Sequence, residues 1–280
     1  MSKVYEALKK AELESNLHKD EEKETYIQKK EVKSFEEKSK KSNWSILDSI
    51  DSTGDKSSEL KEIIVLKNPN SPASEQFKKL RTKILNRLKG NNGVFLITSP
   101  LPEEGKSFVT SNLSVTFALN PDTYSLVIDA DFRKPTLDKI FNIKYQYGLS
   151  DYLEGKTELK EIFYKTFLPK LSIIPAGRSN SHPSELLSSD RMKNLIREIK
   201  KRYPDRYIFI DTTPILLTSE PDILASQVDG TLIVVGFGIS TREDLKRSLS
   251  MMEDADIWGI VFNKIDSQSS RYYKKGKYYS

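Results

Sequence analysis

Apolar positions are sparse over the first 60 or so residues of this chain and then fall into short runs separated by amphipathic stretches. The runs lie at 63–66, 94–97, 125–128, 171–174, 207–210, 231–235 and 258–262. Most are continuous and rich in β-branched or aromatic residues, as strands buried on both faces are. Between them, 74–88, 105–119, 184–202, 220–228 and 242–252 carry apolar residues at helical spacing. Strands alternating with helices predict an α/β fold with a doubly wound, mostly parallel sheet. Ligands of such sheets sit beyond the carboxyl ends of the strands.

The segments flanking this pattern read differently. Residues 19–41 are a dense mixture of Lys and Glu, and 42–60 are rich in Ser and Asp. Neither can bury much surface, so 1–60 is expected to be a charged, largely disordered tail. Val4, Leu8 and Ala11 recur at helical spacing, so a short helix is expected near 3–13, with Ser2 as its N-cap. It reads either as a frayed helix without a role or as a docking helix for a partner. The folded domain is expected at 61–266, and 267–280 as a flexible, tyrosine-rich tail.

Bulk composition narrows the classes. The 280 residues fit one large domain with tails, and charged residues make up 30% of the chain. No run approaches the ~20 apolar residues that span a bilayer, and the opening residues lack the apolar core of a signal peptide. With no cysteine, disulfides and thiolate metal sites are excluded, which agrees with a cytosolic location. The net charge of +5 suits phosphate ligands, anionic lipid or nucleic acid and chooses none of them.

Chemistry enters at 94–107. The apolar run empties into a turn-rich loop ending Gly105-Lys106-Ser107, followed by a helical pattern. Strand, loop, Gly-Lys-Ser and helix form the layout of a P-loop. Loop amides and a helix N-terminus point at anionic oxygens. Gly105 allows close backbone approach, Lys106 neutralises β/γ-phosphates, and the Ser107 hydroxyl can ligate Mg²⁺. Pro100 stands where the full pattern has its first glycine. A loop lysine beside a helix cap is the plainer reading of a bare Gly-Lys-Ser.

Two further strand ends carry acids. The second run ends in Asp129-Ala-Asp131-Phe-Arg133, and the fifth ends in Asp211. A carboxylate at the tip of a buried strand is costly without a partner. Beside a P-loop the natural partner is Mg²⁺, whereas a lone strand-end Asp more often caps the next helix. Three such acids on the edge that carries Gly-Lys-Ser favour the nucleotide reading. Arg133 either stabilises transferring phosphate charge or pairs with a neighbouring carboxylate.

The last ten residues, Arg271-Tyr-Tyr-Lys-Lys-Gly-Lys-Tyr-Tyr-Ser280, contain no acid and no aliphatic side chain. Basic residues among aromatics bind nucleic acid or anionic membranes, or form a solvated end, or present tyrosines for phosphorylation. Four phosphates at about −1.5 to −2 each would carry the tail from about +4 to between −2 and −4. Residues 266–280 can extend up to about 50 Å, enough to reach this chain's own site or that of a neighbouring subunit.

Together these segments resemble the bacterial protein tyrosine autokinases of capsular and exopolysaccharide export, from about residue 60 to the C-terminus. In their terms 99–107 is a Walker A motif of the deviant, partition-ATPase-like branch of P-loop NTPases. Residues 128–133 match the additional acidic motif and 208–211 Walker B. Gly148-Leu-Ser-Asp-Tyr-Leu-Glu-Gly155, Pro175-Ala-Gly177, Pro183-Ser-Glu-Leu-Leu187 and Gly259-Ile-Val-Phe-Asn-Lys264 are also similar to family segments. The resemblance implies ATP and Mg²⁺, with Pro102, Glu103, Glu104, Gly105, Lys106, Ser107, Phe108 and Asn263 around the nucleotide. Ser107, Asp129 and Asp211 would serve the metal, and Lys106, Asp129, Asp131 and Arg133 catalysis. Tyr272, Tyr273, Tyr278 and Tyr279 would accept phosphate. Glu75, Lys78 and Arg81 stand at the family's subunit-contact motif, with lysine in place of its first arginine, and a homo-oligomer is implied. A cytoplasmic kinase recruited to the membrane by an adaptor that activates it, and a phosphotyrosine phosphatase as a further partner, are also implied; no nucleic acid is expected. The departures are Glu103 in place of a common glycine, Asp211-Thr-Thr-Pro214 in place of Asp-Thr-Pro-Pro, and His182 in place of a common Asn. Two other readings of the same fold stand beside this one. A positioning ATPase of the partition or septum type usually has a lysine where Leu101 stands, and a non-catalytic export scaffold would have a dead nucleotide site.

Overall fold

The computed structural model describes residues 62–178 and 182–265, all within one unit of the chain, Gly54–Ser280. The expected N-terminal tail with its helix near 3–13 and the tyrosine-rich tail at 267–280 lie outside the described residues.

Seven strands form a single sheet: β1 (Val94–Thr98), β2 (Tyr124–Asp129), β3 (Tyr164–Lys165), β4 (Leu171–Ile174), β5 (Arg206–Asp211), β6 (Gly230–Gly236) and β7 (Ile257–Asn263). Their order is β3-β4-β2-β5-β1-β6-β7, and every neighbouring pair is parallel except β3 with β4. The helices are α1 (Ile64–Lys67), α2 (Pro72–Leu88), α3 (Lys106–Ala118), α4 (Leu137–Ile140), α5 (Leu149–Leu153), α6 (Pro183–Ser188), α7 (Asp190–Arg202), α8 (Glu220–Ala225) and α9 (Arg242–Met251).

Side chains alternate between two cores along the central strands, as the pleat requires. Leu96, Ile128, Ile210 and Ile233 face one core, completed by Met192, Leu195 and Ile199 of α7. Phe95, Ile97, Phe209 and Val234 face the other, completed by Phe77 and Ile84 of α2 and by Val109, Leu113 and Phe117 of α3. Phe209 sits between two rings there, 5.6 Å from Phe95 and 5.1 Å from Phe117. This double coverage is why the strands read as uninterrupted apolar runs.

Two expectations fail. The run at 63–66 is the short helix α1, not a strand. Four apolar residues in a row do not distinguish the two, and here the segment is held against α3 by Asn112. The Asn112 side chain accepts from Val65 N at 3.3 Å and donates to Glu62 O at 2.8 Å. The helix expected over 184–202 is broken at Ser189, whose backbone is extended. Ser189 Oγ caps α7 by accepting from Met192 N. The short elements α4, α5 and β3 gave no periodic signal in the sequence.

Two of the resembling segments meet in space. Leu149 N and Ser150 N donate to Pro175 O and Ala176 O, at 2.8 and 2.9 Å. A Cβ on Gly148 would lie 2.3 Å from Gly177 N, so the two backbones touch where only glycine fits. Among the described residues no helix is long and apolar enough to cross a membrane. Gly148→Ala should therefore lower stability by about 1–3 kcal/mol, read as an earlier urea midpoint; an unchanged midpoint would contradict this packing.

Candidate active site

Sheet register brings the acids together. Asp129 of β2 pairs with Asp211 of β5, and Asp211 pairs with Ile97 of β1. The loop after β1 therefore opens beside both carboxylates. Gly105, with φ 91°, turns the chain into α3, so that Lys106 begins the helix. Glycine is required there twice over, because a Cβ would come within 2.1 Å of Asn263 Nδ2 as well as straining the backbone.

Helix α3 is buried along nearly its whole length despite carrying Thr110, Ser111, Asn112, Ser114 and Thr116. These side chains return hydrogen bonds to backbone carbonyls three or four residues earlier. Small, internally satisfied side chains let the helix lie against the sheet without orphaned polar groups. The Lys106 end is thus set by a rigid element.

Lys106 Nζ lies 2.8 Å from Asp131 Oδ2 and 3.7 Å from Asp211 Oδ2. Burial alone would lower its pKa, but Asp211 and Asp131 outweigh that and hold it above the usual lysine value. Ser107 Oγ donates to Asp211 Oδ2 at 2.6 Å, and Thr110 Oγ1 donates to Asp211 Oδ1 at 3.1 Å. Burial raises the Asp211 pKa, against the opposing pull of Lys106. Asp129 is pushed to about 8, first by burial and then by Asp211, although Leu137 N and Lys106 pull it down. Its Oδ1 accepts from Asp131 N, and its Oδ2 from Thr136 N and Leu137 N, each at 3.1 Å. Asp129 therefore holds the turn as well as the site.

Asp131 Oδ1 accepts from the backbone of Arg133 and Lys134, which leaves Oδ2 directed to Lys106. Arg133, 55% exposed, reaches Glu220, whose side chain is 1% exposed, at 3.0 Å. Of the two roles open to Arg133, this contact fits pairing with a carboxylate. Burial opposes ionisation of Glu220, yet hydrogen bonds from Thr218, the backbone and Arg133 hold its pKa below the usual value. Thr213, one of the departures from the family pattern, also donates to Glu220 Oε2.

Several expected site residues serve the scaffold here. Glu104 is fully buried and faces inward. Asn263 Nδ2 donates to Glu104 O at 2.9 Å. Phe108 packs edge-on against Phe77. Pro102 and Glu103 are exposed on the loop, and Glu103 has φ 64°. Lys78 pairs with Glu75 at 2.6 Å within α2, while Arg81 donates to Thr116 O, a terminal carbonyl of α3. Sequence reasoning missed Thr110, Glu220 and Ser240. Thr110 stands one helical turn after Lys106 and was findable; nothing local marks the other two. Tyr272, Tyr273, Tyr278 and Tyr279 lie outside the described residues.

No family model matches the chain. CapB of Staphylococcus aureus, a protein named as a tyrosine-protein kinase, is 31% identical over 231 residues, which cover 79% of this chain and 98% of CapB. The chain belongs to the bacterial tyrosine-protein kinase family. The tyrosine-protein kinase Ptk of Acinetobacter johnsonii is 33% identical over 213 residues, 75% of this chain; the match spans only 29% of Ptk. The crystallised kinase domain of Escherichia coli Etk superposes with a TM-score of 0.69 at 30% identity, covering 74% of this chain and 82% of that one.

Among the described residues no three acidic or histidine side chains are spaced to hold a metal by themselves. The donor set fits Mg²⁺, a hard cation: the Ser107 hydroxyl stands beside one carboxylate, Asp211. The cluster of Asp129, Asp131 and Asp211 around one lysine leaves the pocket negative once the acids ionise.

Two predictions follow from this geometry. Replacing Glu103 by glycine relieves a left-handed backbone and should stabilise the protein by about 1 kcal/mol, seen as a higher urea midpoint; a lower midpoint would contradict it. A carboxyl whose folded pKa is raised stabilises the fold below its unfolded pKa of about 4 and loses that contribution as pH rises through the folded value. Asp211→Asn should therefore raise the melting temperature of nucleotide-free protein more at pH 8 than at pH 5. An equal shift at both would contradict the burial argument.

Proposed function

We propose that this protein transfers the γ-phosphate of ATP to tyrosine hydroxyls, with its own Tyr272, Tyr273, Tyr278 and Tyr279 as acceptors. The observation that carries this reading is the convergence of Lys106, Ser107, Asp131 and Asp211 at one strand edge, in a chain of the tyrosine-protein kinase family. Loop amides and the start of α3 take the phosphate oxygens. Lys106, which spans two carboxylates, exchanges Asp131 for the β/γ-phosphates. That frees Asp131 Oδ2 to orient the phenol and take its proton. The phenol oxygen bonds to the γ-phosphorus as the bridging β–γ oxygen leaves with ADP. A carboxylate is a weak base for a phenol, which suffices because the step is mostly positioning and charge neutralisation. Ser107 and Asp211 would hold Mg²⁺, which would supply charge neutralisation on the phosphates, and Asp129 supports the same network.

Transfer between subunits suits the length of the C-terminal segment, about 50 Å when extended. The setting is capsular or exopolysaccharide synthesis at the cytoplasmic face of the membrane, with a membrane adaptor as activator, a homo-oligomer as the acting form and a phosphotyrosine phosphatase as its counterpart. The family and the names of its relatives support this setting.

The test is full-length protein incubated with Mg²⁺ and ATP and probed for phosphotyrosine, alone and with candidate adaptor segments. Lys106→Met should abolish the signal, as should truncation after Ser270. Undiminished phosphotyrosine in Lys106→Met would contradict the site assignment.

A further inference from the structure

Glu104 is a fully buried carboxylate in the middle of the P-loop, one residue before the Gly-Lys-Ser. The described residues give it no cation. Its partners are three donors instead. Oε2 accepts from Leu101 N at 2.8 Å, which closes the loop on itself. Oε1 accepts from Gly236 N at 3.0 Å and from Ser240 Oγ at 2.6 Å. Gly236 is the last residue of β6 and Ser240 lies four residues beyond it, both more than 130 positions away in sequence.

Contacts around Glu104 are close on both sides. A Cβ on Gly236 would lie 3.2 Å from Glu104 Cα, so the end of β6 presses against the loop. On the β7 side, Asn263 Nδ2 donates to Glu104 O, and Asn263 O accepts from Phe237 N. The loop, the 236–240 segment and the end of β7 thus form one hydrogen-bonded unit with Glu104 at its centre.

Glu104 supplies no cationic group to a phosphate. Its value at this place lies in its shape: one side chain takes three donors at fixed positions and so fixes the loop whose amides must meet the phosphates. We propose that Glu104 is a positioning residue for the nucleotide site, and that Ser240, four residues beyond the end of β6, sets nucleotide affinity through it. This rests on the nucleotide reading given above. Charge-assisted hydrogen bonds from a hydroxyl to a carboxylate are the strong kind, so loss of the Ser240 donor loosens the loop without removing any side chain that touches phosphate.

The test measures Mg–ADP binding by titration calorimetry on full-length protein, with melting temperatures in parallel. Ser240→Ala should weaken binding about three- to tenfold, the effect of one hydrogen bond, and Ser240→Thr should restore it. Glu104→Gln should weaken binding further, because an amide cannot accept from Leu101 N and Gly236 N at once. Adding Ser240→Ala to Glu104→Gln should then cost less than Ser240→Ala does in the wild type. Affinity within twofold of wild type in Ser240→Ala, whatever its melting temperature, overturns the inference alone. A wild-type protein that binds no Mg–ADP overturns the nucleotide reading and this inference with it.

Discussion

A lysine ammonium held between carboxylates at the mouth of a parallel sheet is the interaction on which the rest of this molecule depends. Lys106 contacts Asp131 and lies near Asp211, with Asp129 level with Asp211 on the next strand. One lysine faces three acids there, and burial holds the carboxyls of Asp129 and Asp211 above the usual carboxylate value.

That arrangement survives because the elements beneath it are stiff. The strands are packed on both faces, and α3 lies against them with its hydroxyls turned back on its own carbonyls. Arg81 of α2 closes the far end of the same helix. The P-loop is fixed from its own interior through Glu104 and from β7 through Asn263. The acidic motif after β2 is fixed by its own carboxylates, which bind the amides of the turn they sit in.

How much of this could be read beforehand follows from the range of the forces. The central parallel strands were legible because burial on both sides leaves mostly apolar residues, and the edge strand β7 because it keeps an apolar run although Ile260 and Phe262 are exposed. The meeting of Lys106, Ser107, Asp131 and Asp211 was legible because a parallel sheet brings its strand-end acids to the edge where the Gly-Lys-Ser loop enters α3. The segment at 63–66 misled because a four-residue apolar turn and a four-residue strand look alike until Asn112 is seen holding one of them. The helix break at Ser189 was hidden because its cap restarts a second helix of similar pattern. Glu104 was expected around the nucleotide, and its inward turn is decided by Gly236 and Ser240, far along the chain. Glu220 carries no local mark at all; its partners Arg133 and Thr213 come from different strand ends.

A crystal structure of the full chain with magnesium and a non-hydrolysable ATP analogue tests the central claim most directly. The account predicts Lys106 Nζ moved off Asp131 onto β/γ-phosphate oxygens, with Ser107 and Asp211 on the metal side. A triphosphate bound elsewhere, with the Lys106–Asp131 contact intact, would contradict it.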